Sequence, residues 1–312
     1  MDSPSGRVCV VGTGVVGATT AYSLATTGVD VTLVDADGDL AAGHGIDIRH
    51  ATAHVSHALG AGTPAGDVAV GDPEPAAAAD ADCVVMAASA PRPEGARSRM
   101  AFLDANRDVV ADVTDWLGDL DPRPVVVVSN PLDRLVHLTY EGLGWPRERV
   151  VGYSLSETAR VADAIADLRG VDHAAVRCPV VGEHGDGIVP VFSRATVGGD
   201  PADLDADERQ SVLDYARDVA LDVIDKRGFD ETSRWVTARG VALLCAGILD
   251  GGTEEPVGLC TPLDGKYGHR DVSVGVPVTL SATGVERIHE WDLDEAERER
   301  FDAAVADIRA SL

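Results

Sequence analysis

The 312-residue sequence contains almost no lysine, which occurs only at Lys226 and Lys266. Asp and Glu together number 52 against 26 Lys and Arg, and Asp outnumbers Glu by 37 to 15, so the formal net charge is −26. Charges this dense repel one another unless salt screens them, and they disfavour nucleic acid and anionic membranes as partners. We interpret the composition as that of a protein from a salt-rich cytosol; an ordinary acidic protein is the alternative.

Aromatic residues make up only 4% of the chain. No apolar run approaches the roughly 20 residues that span a bilayer, and the N-terminus has no signal-peptide pattern. We therefore expect a cytoplasmic protein with no membrane partner. Cys9, Cys83, Cys178, Cys245 and Cys260 are scattered, without a C-x-x-C pair. This spacing predicts small buried thiols, with neither a metal site nor a disulfide framework.

Short apolar runs alternate with helical segments through the first half of the chain. This alternation predicts an α/β fold with a doubly wound parallel sheet, and the apolar runs suit strands that are covered on both faces. The predicted strands are 7–11, 30–34, 67–70, 82–87 and 125–129, and the clearest helix is 100–117.

The pattern changes after about Gly152, and the second half predicts an α+β substrate domain. We place an N-terminal domain at 1–151 and this second domain at 152–312. Its predicted helices are 155–168, 205–227, 238–249 and 294–312, and residues 266–268 and 274–280 are predicted as the two strands of a hairpin.

A glycine-rich turn, Gly12-x-Gly14-x-x-Gly17, follows the first predicted strand and opens a helix. Asp35 ends the second strand, 23 residues after Gly12. Together these features are typical of a Rossmann dinucleotide site, in which the turn approaches the pyrophosphate and the acid binds the adenosine ribose. The acid favours NAD over NADP, although it could be a turn residue. The candidate cofactor-binding residues are Gly12, Gly14, Val15, Val16, Gly17 and Asp35.

One histidine, His184, lies between glycines and acids directly after a short apolar run, in Gly182-Glu183-His184-Gly185-Asp186. A histidine held near carboxylates can transfer protons near neutral pH. A lone histidine is more often structural, so this segment gains its weight from the dinucleotide site.

With these residues in place, the chain resembles the lactate/malate dehydrogenase superfamily, most closely the lactate-dehydrogenase-like malate dehydrogenases of the haloarchaeal type. The resemblance runs nearly from end to end. Besides the glycine turn, Asp35 and the histidine segment, it rests on 128–133 (VSNPLD), 238–241 (ARGV) and 275–278 (GVPV).

The resemblance implies a reaction in which His184 exchanges a proton with the substrate C2 oxygen while a hydride passes between C2 and the nicotinamide of NAD. It implies that Arg99 polarises the C2 carbonyl from a closing loop and that Arg160 binds the C1 carboxylate. Asn130 would hydrogen-bond substrate and cofactor. Alternatively, Arg99 caps its own helix, Arg160 pairs with Glu157, and Asn130 is a turn residue.

The resemblance further implies that Asn106 and Val128 lie against the cofactor. It places Glu157 as the acid that orients His184, at a position where the family has aspartate. Ser156 stands in place of the usual leucine, and Ser233, in place of a threonine, is a substrate-binding candidate.

The loop at 91–99 departs from the family pattern by one residue. Arg92 is the candidate for binding a distal carboxylate, as in malate dehydrogenases, with Arg97 as its rival and a solvated arginine as the third reading. We expect oxidation of (S)-malate by a homodimer or homotetramer. The alternatives are an L-lactate or other 2-hydroxy acid dehydrogenase and a cofactor-binding paralogue with little catalysis.

Overall fold

The computed structural model describes residues 6–91, 102–228 and 233–312. Strands and helices alternate in its first half, as the apolar pattern predicts. They are β1 (Arg7–Val11), α1 (Val15–Ala25), β2 (Asp30–Val34), α2 (Gly38–Thr52), β3 (Val68–Gly71), α3 (Pro75–Ala78), β4 (Cys83–Met86), α4 (Leu103–Leu117), β5 (Val125–Val127), α5 (Leu132–Leu143) and β6 (Val150–Gly152).

The first six strands pair in the order β3-β2-β1-β4-β5-β6, and every pairing among them is parallel. This is the Rossmann strand order, in which the chain reverses direction next to β1 and leaves a crevice at the carboxyl ends of the strands. The predicted doubly wound parallel sheet is confirmed, and the glycine turn and Asp35 both lie at this edge.

The second half mixes helices with antiparallel strands, which confirms the predicted α+β character. Its elements are α6 (Leu155–Arg169), β7 (Val176–Arg177), β8 (Val180–Gly182), β9 (Ile188–Pro190), β10 (Thr196–Val197), β11 (Asp200–Pro201), α7 (Ala206–Arg227), α8 (Arg234–Leu249), β12 (Val257–Asp264), β13 (Arg270–Ser281), β14 (Gly284–Ile288) and α9 (Glu295–Ala310).

Strand β12 pairs with β6 and extends the first sheet through β13, β8 and β9, so the two halves share one sheet. The prediction of a strand at Lys266–Gly268 is wrong, because this segment is a 3-10 turn between β12 and β13. Tyr267 has φ +53° there, a left-handed conformation that lies outside the β region. The true partner of β13 is the apolar run of β12, which lies just before the turn.

Local signals fix the ends of the long helices. Asp205 and Asp294 begin α7 and α9 through capping boxes, in which each aspartate accepts the backbone N–H of a glutamate three residues later. Gly228 ends α7 in the left-handed conformation. None of the described helices is both long and apolar enough to cross a membrane.

The sheet is covered on both faces, as all-apolar strands require. Along β1, Val8 and Val10 belong to one apolar cluster with α1 and α8, whereas Cys9 and Val11 belong to another with α4 and α5. Helix α8 comes from the second half of the chain and packs directly on α1. All five cysteines are buried, which confirms that part of the prediction.

Candidate active site

The three glycines of the turn serve three different steric purposes. Gly12 has φ +92°, and a Cβ there would lie 2.2 Å from the backbone nitrogen of Ala88. A Cβ on Gly17 would lie 1.8 Å from the carbonyl oxygen of Gly12. Gly14, by contrast, has no atom within 4 Å of its Cβ position. The first and third glycines therefore permit close packing, while the second leaves open space for a ligand.

Helix α1 begins directly beneath this open space. Gly14 is its N-cap and makes no side-chain cap hydrogen bond, and the first turn carries no acidic residue. Val15 and Val16 are half-buried at its start. Uncapped N–H groups at a helix N-terminus favour a negatively charged group such as a pyrophosphate.

Asp35 lies at the end of β2 and is tied to the glycine turn. Its Oδ2 accepts hydrogen bonds from the backbone N–H and the hydroxyl of Thr13, the latter at 2.9 Å. Its Oδ1 accepts the N–H of Asp37 at 3.0 Å. The carboxylate stabilises the local turn, so the turn reading of Asp35 is present in the structure. It also lies at the edge of the crevice, where ribose binding stays a prediction.

The completely buried Asn106 of α4 links the segments that follow β4 and β5. Its amide donates to the carbonyl oxygen of Asn130 at 2.6 Å and accepts from the N–H of Ala90 at 2.7 Å. Val128, two residues before Asn130, is also buried. The Oδ1 of Asn130 is buried and receives no donor from the described residues, which leaves an acceptor for a ligand.

His184 lies in the tight loop between β8 and β9, as predicted from its position after an apolar run. Gly182 ends β8 with φ +87°, and its carbonyl oxygen would lie 2.6 Å from a Cβ on Gly275 of β13. Two glycines therefore allow β13 to approach this loop closely. The His184 side chain is only 9% exposed.

The carboxylate of Glu157, in the first turn of α6, contacts two of the predicted site residues. Its Oε2 lies 2.8 Å from Nδ1 of His184, and its Oε1 lies 3.3 Å from Nη1 of Arg160. The glutamate side chain is 3% exposed, so both ion pairs are shielded from water. The internal pairing of Arg160 with Glu157 is present, and the same carboxylate also reaches the histidine.

Ser233 and Arg160 line one cavity of about 470 Å³ between α6, α7 and α8. Ser233 occupies the N-cap position of α8 without a side-chain cap hydrogen bond. Trp235 and Val236 add apolar surface to the cavity. The structure therefore brings two predicted substrate-binding residues to one space.

Sequence reasoning did not find Tyr153, which links the end of the parallel sheet to α8. Its hydroxyl donates to the carbonyl oxygen of Val236 at 3.1 Å and accepts from Ser156 at 3.3 Å. Burial raises the pKa of Tyr153 to about 12. A Cβ on Gly240 would lie 2.0 Å from this hydroxyl, so that glycine in the 238–241 motif serves close packing.

Sequence reasoning also assigned no role to the two charged residues that begin α5, Asp133 and Arg134. Asp133 is 1% exposed and Arg134 is 4% exposed. Asp133 accepts the backbone N–H of His184 at 2.8 Å, and Arg134 pairs with Glu183. The available signal was a pair of charges inside an otherwise apolar stretch after Asn130. Arg92, Arg97 and Arg99 lie outside the described residues.

Two family models together cover nearly the whole chain. The NAD-binding domain of lactate/malate dehydrogenase matches residues 6–152, and its alpha/beta C-terminal domain matches residues 157–312. The chain belongs to the lactate/malate dehydrogenase family. It is accordingly an NAD-dependent 2-hydroxy acid dehydrogenase.

Relatives within this family carry two different names. The malate dehydrogenase of Natronomonas pharaonis is 33% identical over 306 residues, which is 96% of this chain and 95% of that protein. The L-lactate dehydrogenase of Geobacillus kaustophilus is 32% identical over 318 residues, covering 98% and 96%. The malate dehydrogenase structure from Aeropyrum pernix has a TM-score of 0.89 at 28% identity, covering 97% and 96%.

The geometry of this dehydrogenase fits NAD. The space above Gly14 and the uncapped start of α1 suit the pyrophosphate. The carboxylate of Asp35 suits the ribose hydroxyls and disfavours a 2′-phosphate. The acceptor on Asn130 lies where the strands end, at the crevice in which open α/β sheets bind ligands.

Proposed function

We propose that the protein catalyses the reversible NAD-dependent oxidation of (S)-malate to oxaloacetate. The contact between Glu157 and His184 carries the proposal, because it supplies a buried, oriented imidazole beside the carboxylate-binding arginine. Four malate dehydrogenases from haloarchaea, at 33–34% identity, support the choice of malate.

In this mechanism His184 takes the proton of the C2 hydroxyl during oxidation and returns it during reduction. Glu157 stabilises the imidazolium that forms, because an opposite charge at 2.8 Å favours the protonated ring. Arg160 binds the C1 carboxylate through its planar guanidinium. NAD, when bound, supplies the hydride acceptor.

Arg99 is proposed to polarise the C2 carbonyl, and Arg92 to bind the distal carboxylate that distinguishes malate from lactate. Asn130 and Ser233 are proposed to bind substrate, and Asn106 and Val128 to border the cofactor. We keep the domain division at 151/152 as part of this proposal.

The second candidate is a lactate or other 2-hydroxy acid dehydrogenase. One observation favours it: much of the cavity beside Arg160 is lined by apolar side chains, among them Val219, Val223 and Val236. Such a lining suits an uncharged substrate side chain better than a carboxylate. The similar identity to an L-lactate dehydrogenase agrees with this candidate.

A substrate panel separates the two candidates. Initial rates with NADH in molar KCl are compared for oxaloacetate, pyruvate and a branched 2-oxo acid, for the wild type, Arg92→Gln and the matched control Arg97→Gln. We expect oxaloacetate to be preferred and Arg92→Gln alone to lose that preference, by about 10- to 100-fold in kcat/KM. Faster turnover of pyruvate by the wild type contradicts the malate assignment. Cofactor binding without turnover of any substrate indicates the non-catalytic paralogue.

We further propose that the protein works as a homodimer or homotetramer in a salt-rich cytosol. Subunits that each carry a net charge of −26 repel one another unless salt screens them. Light scattering across a KCl series tests this, because a stable oligomer at low salt contradicts it.

A further inference from the structure

The first turn of α5 contacts the loop that carries His184. The backbone N–H of His184 donates to Oδ2 of Asp133 at 2.8 Å. The preceding residue, Glu183, pairs with Arg134, and its Oε2 also accepts the N–H of Gly187 at 3.2 Å. Two adjacent residues of α5 thus hold two adjacent residues of the catalytic loop.

The charge of Asp133 is not neutralised by the neighbouring arginine. The guanidinium of Arg134 pairs with Glu183, donates to the hydroxyl of Ser311 at 3.0 Å and donates to the carbonyl oxygen of Asp307 at 3.3 Å. Among the described residues, neither arginine nor lysine forms an ion pair with Asp133. The charge that most favours ionised Asp133 is therefore that of His184 when its imidazole is protonated.

The second carboxylate oxygen of Asp133 lacks a strong hydrogen-bond donor within the described part of the chain. Oδ1 is buried and receives no hydrogen bond from the described residues. The fully buried thiol of Cys260, on β12, lies beside the same carboxyl group. A thiol is a poor donor. The groups facing Asp133 are thus His184 and Glu183 from the loop and Cys260 from β12, with Arg134 on its own helix.

We propose that Asp133 is a positioning residue for His184, which fixes the histidine backbone through the N–H and stabilises the imidazolium through its buried negative charge. Together with Glu157 it places two buried carboxylates around one histidine. This inference rests on the proposed function for its kinetic consequences, but its central claim concerns the titration of His184 and needs no substrate.

The direction of the pKa shift of Asp133 agrees with this geometry. Burial raises the pKa of Asp133 to about 6, and the charge and the backbone N–H of His184 oppose that rise. An interaction that favours ionised Asp133 must equally favour protonated His184. Loss of the Asp133 charge is therefore expected to lower the pKa of the histidine.

The decisive variant is Asp133→Asn, which keeps an acceptor for the N–H and removes the charge. The control is Glu141→Gln, which removes one charge from the exposed end of the same helix. The pKa of the His184 imidazole is measured by NMR titration of histidine-labelled protein in KCl, and His184→Gln identifies its signal. We expect a fall of at least about half a unit in Asp133→Asn and none in Glu141→Gln. An unchanged pKa in Asp133→Asn, or an equal shift in both variants, overturns the proposal.

Kinetics give a second readout that simple structural damage would not mimic. Reduction of the 2-oxo acid needs protonated His184, whereas oxidation needs the neutral ring. At a pH well above the histidine pKa, a half-unit fall lowers the rate of reduction about threefold. The acid limb of the oxidation profile moves to lower pH. Equal losses in both directions, with no movement of either profile, contradict the proposal.

The reciprocal measurement keeps the test usable if Asp133→Asn does not fold. The coupling between the two groups is mutual, so His184→Gln, which removes the imidazole, should raise the pKa of Asp133. The carboxyl resonance of Asp133 reports this directly, and an unmoved titration contradicts the proposal. If the wild type turns over no 2-oxo acid, the proposed function fails while the NMR result still decides the role of Asp133.

Discussion

The glycine turn and the histidine loop lie in two halves of one sheet and are built in opposite ways. The glycine turn works through missing side chains: a Cβ on Gly12 or Gly17 would collide with backbone, and Gly14 leaves space open. The histidine loop works through buried charge, with Glu157 and Asp133 packed around His184.

Because of this difference, the two regions should be sensitive to different kinds of substitution. Backbone N–H groups do not titrate, so the cofactor turn should tolerate changes of pH and charge but should not tolerate a methyl group at Gly12. The histidine loop contains groups that titrate, so small changes of charge should alter it even where the shape is unchanged. Variants in the two regions should therefore respond differently to a change of charge and to a change of side-chain volume.

The largest effect is expected from His184→Asn, which removes the proton carrier. We expect kcat to fall about 10³- to 10⁴-fold, because general acid–base catalysis contributes on this order. Binding of NADH, followed by its fluorescence, should remain within about twofold. If the variant kept a tenth of the wild-type kcat, the histidine would not be the proton carrier.

A smaller loss is expected from Glu157→Gln, which keeps the shape of the side chain but not its charge. We expect kcat to fall about 10²-fold, since the imidazolium loses its closest counter-charge. Glu157→Asp is the matched variant: it keeps the charge on a shorter arm, and we expect about a tenfold loss. Wild-type kcat in Glu157→Gln would show that the contact does not support catalysis.

Substitutions in the glycine turn should act through the volume of the new side chain and not through its charge. Gly12→Ala places a methyl group 2.2 Å from the nitrogen of Ala88 at φ +92°. We expect a loss of about 1–3 kcal/mol in unfolding free energy and weakened NADH binding. Gly14→Ala is the control, because its Cβ meets open space; it should unfold like the wild type and weaken only cofactor binding. Equal destabilisation of both variants would break the contrast.

The smallest effect concerns stability against pH in the histidine loop. Burial raises the pKa of Asp133 from its usual value of 3.8 to about 6, so between these pH values the folded state holds a proton that the unfolded chain has released. Wild-type stability contributed by this group is therefore lost as pH rises from about 4 to about 6. We expect Asp133→Asn to melt a few degrees higher than the wild type at pH 7.5, with a smaller gap at pH 5. A difference in melting temperature that grows toward acid pH would contradict this prediction.

The sequence alone determined the frame of this protein, because strand alternation, glycine spacing and helix caps depend on near neighbours in the chain. The doubly wound sheet, the glycine turn, Asp35 directly after β2 and His184 in the loop after β8 all follow from such local patterns. The misassigned strand at Lys266–Gly268 has the same origin, since a short polar turn inside a hairpin looks extended until its apolar partner strand is known.

Residue patterns alone did not decide which charges meet: the family resemblance implied the contact of Glu157 with His184, and only the tertiary structure revealed that of Asp133. Glu157 lies 27 residues before His184 and Asp133 lies 51 residues before it, yet both contact the histidine, one at the ring and one at the backbone. No local pattern encodes these contacts, because they depend on how α5 and α6 pack against the loop between β8 and β9. The sequence therefore determined that a histidine would follow that strand, and the packing of distant helices decided how the carboxylates surround it.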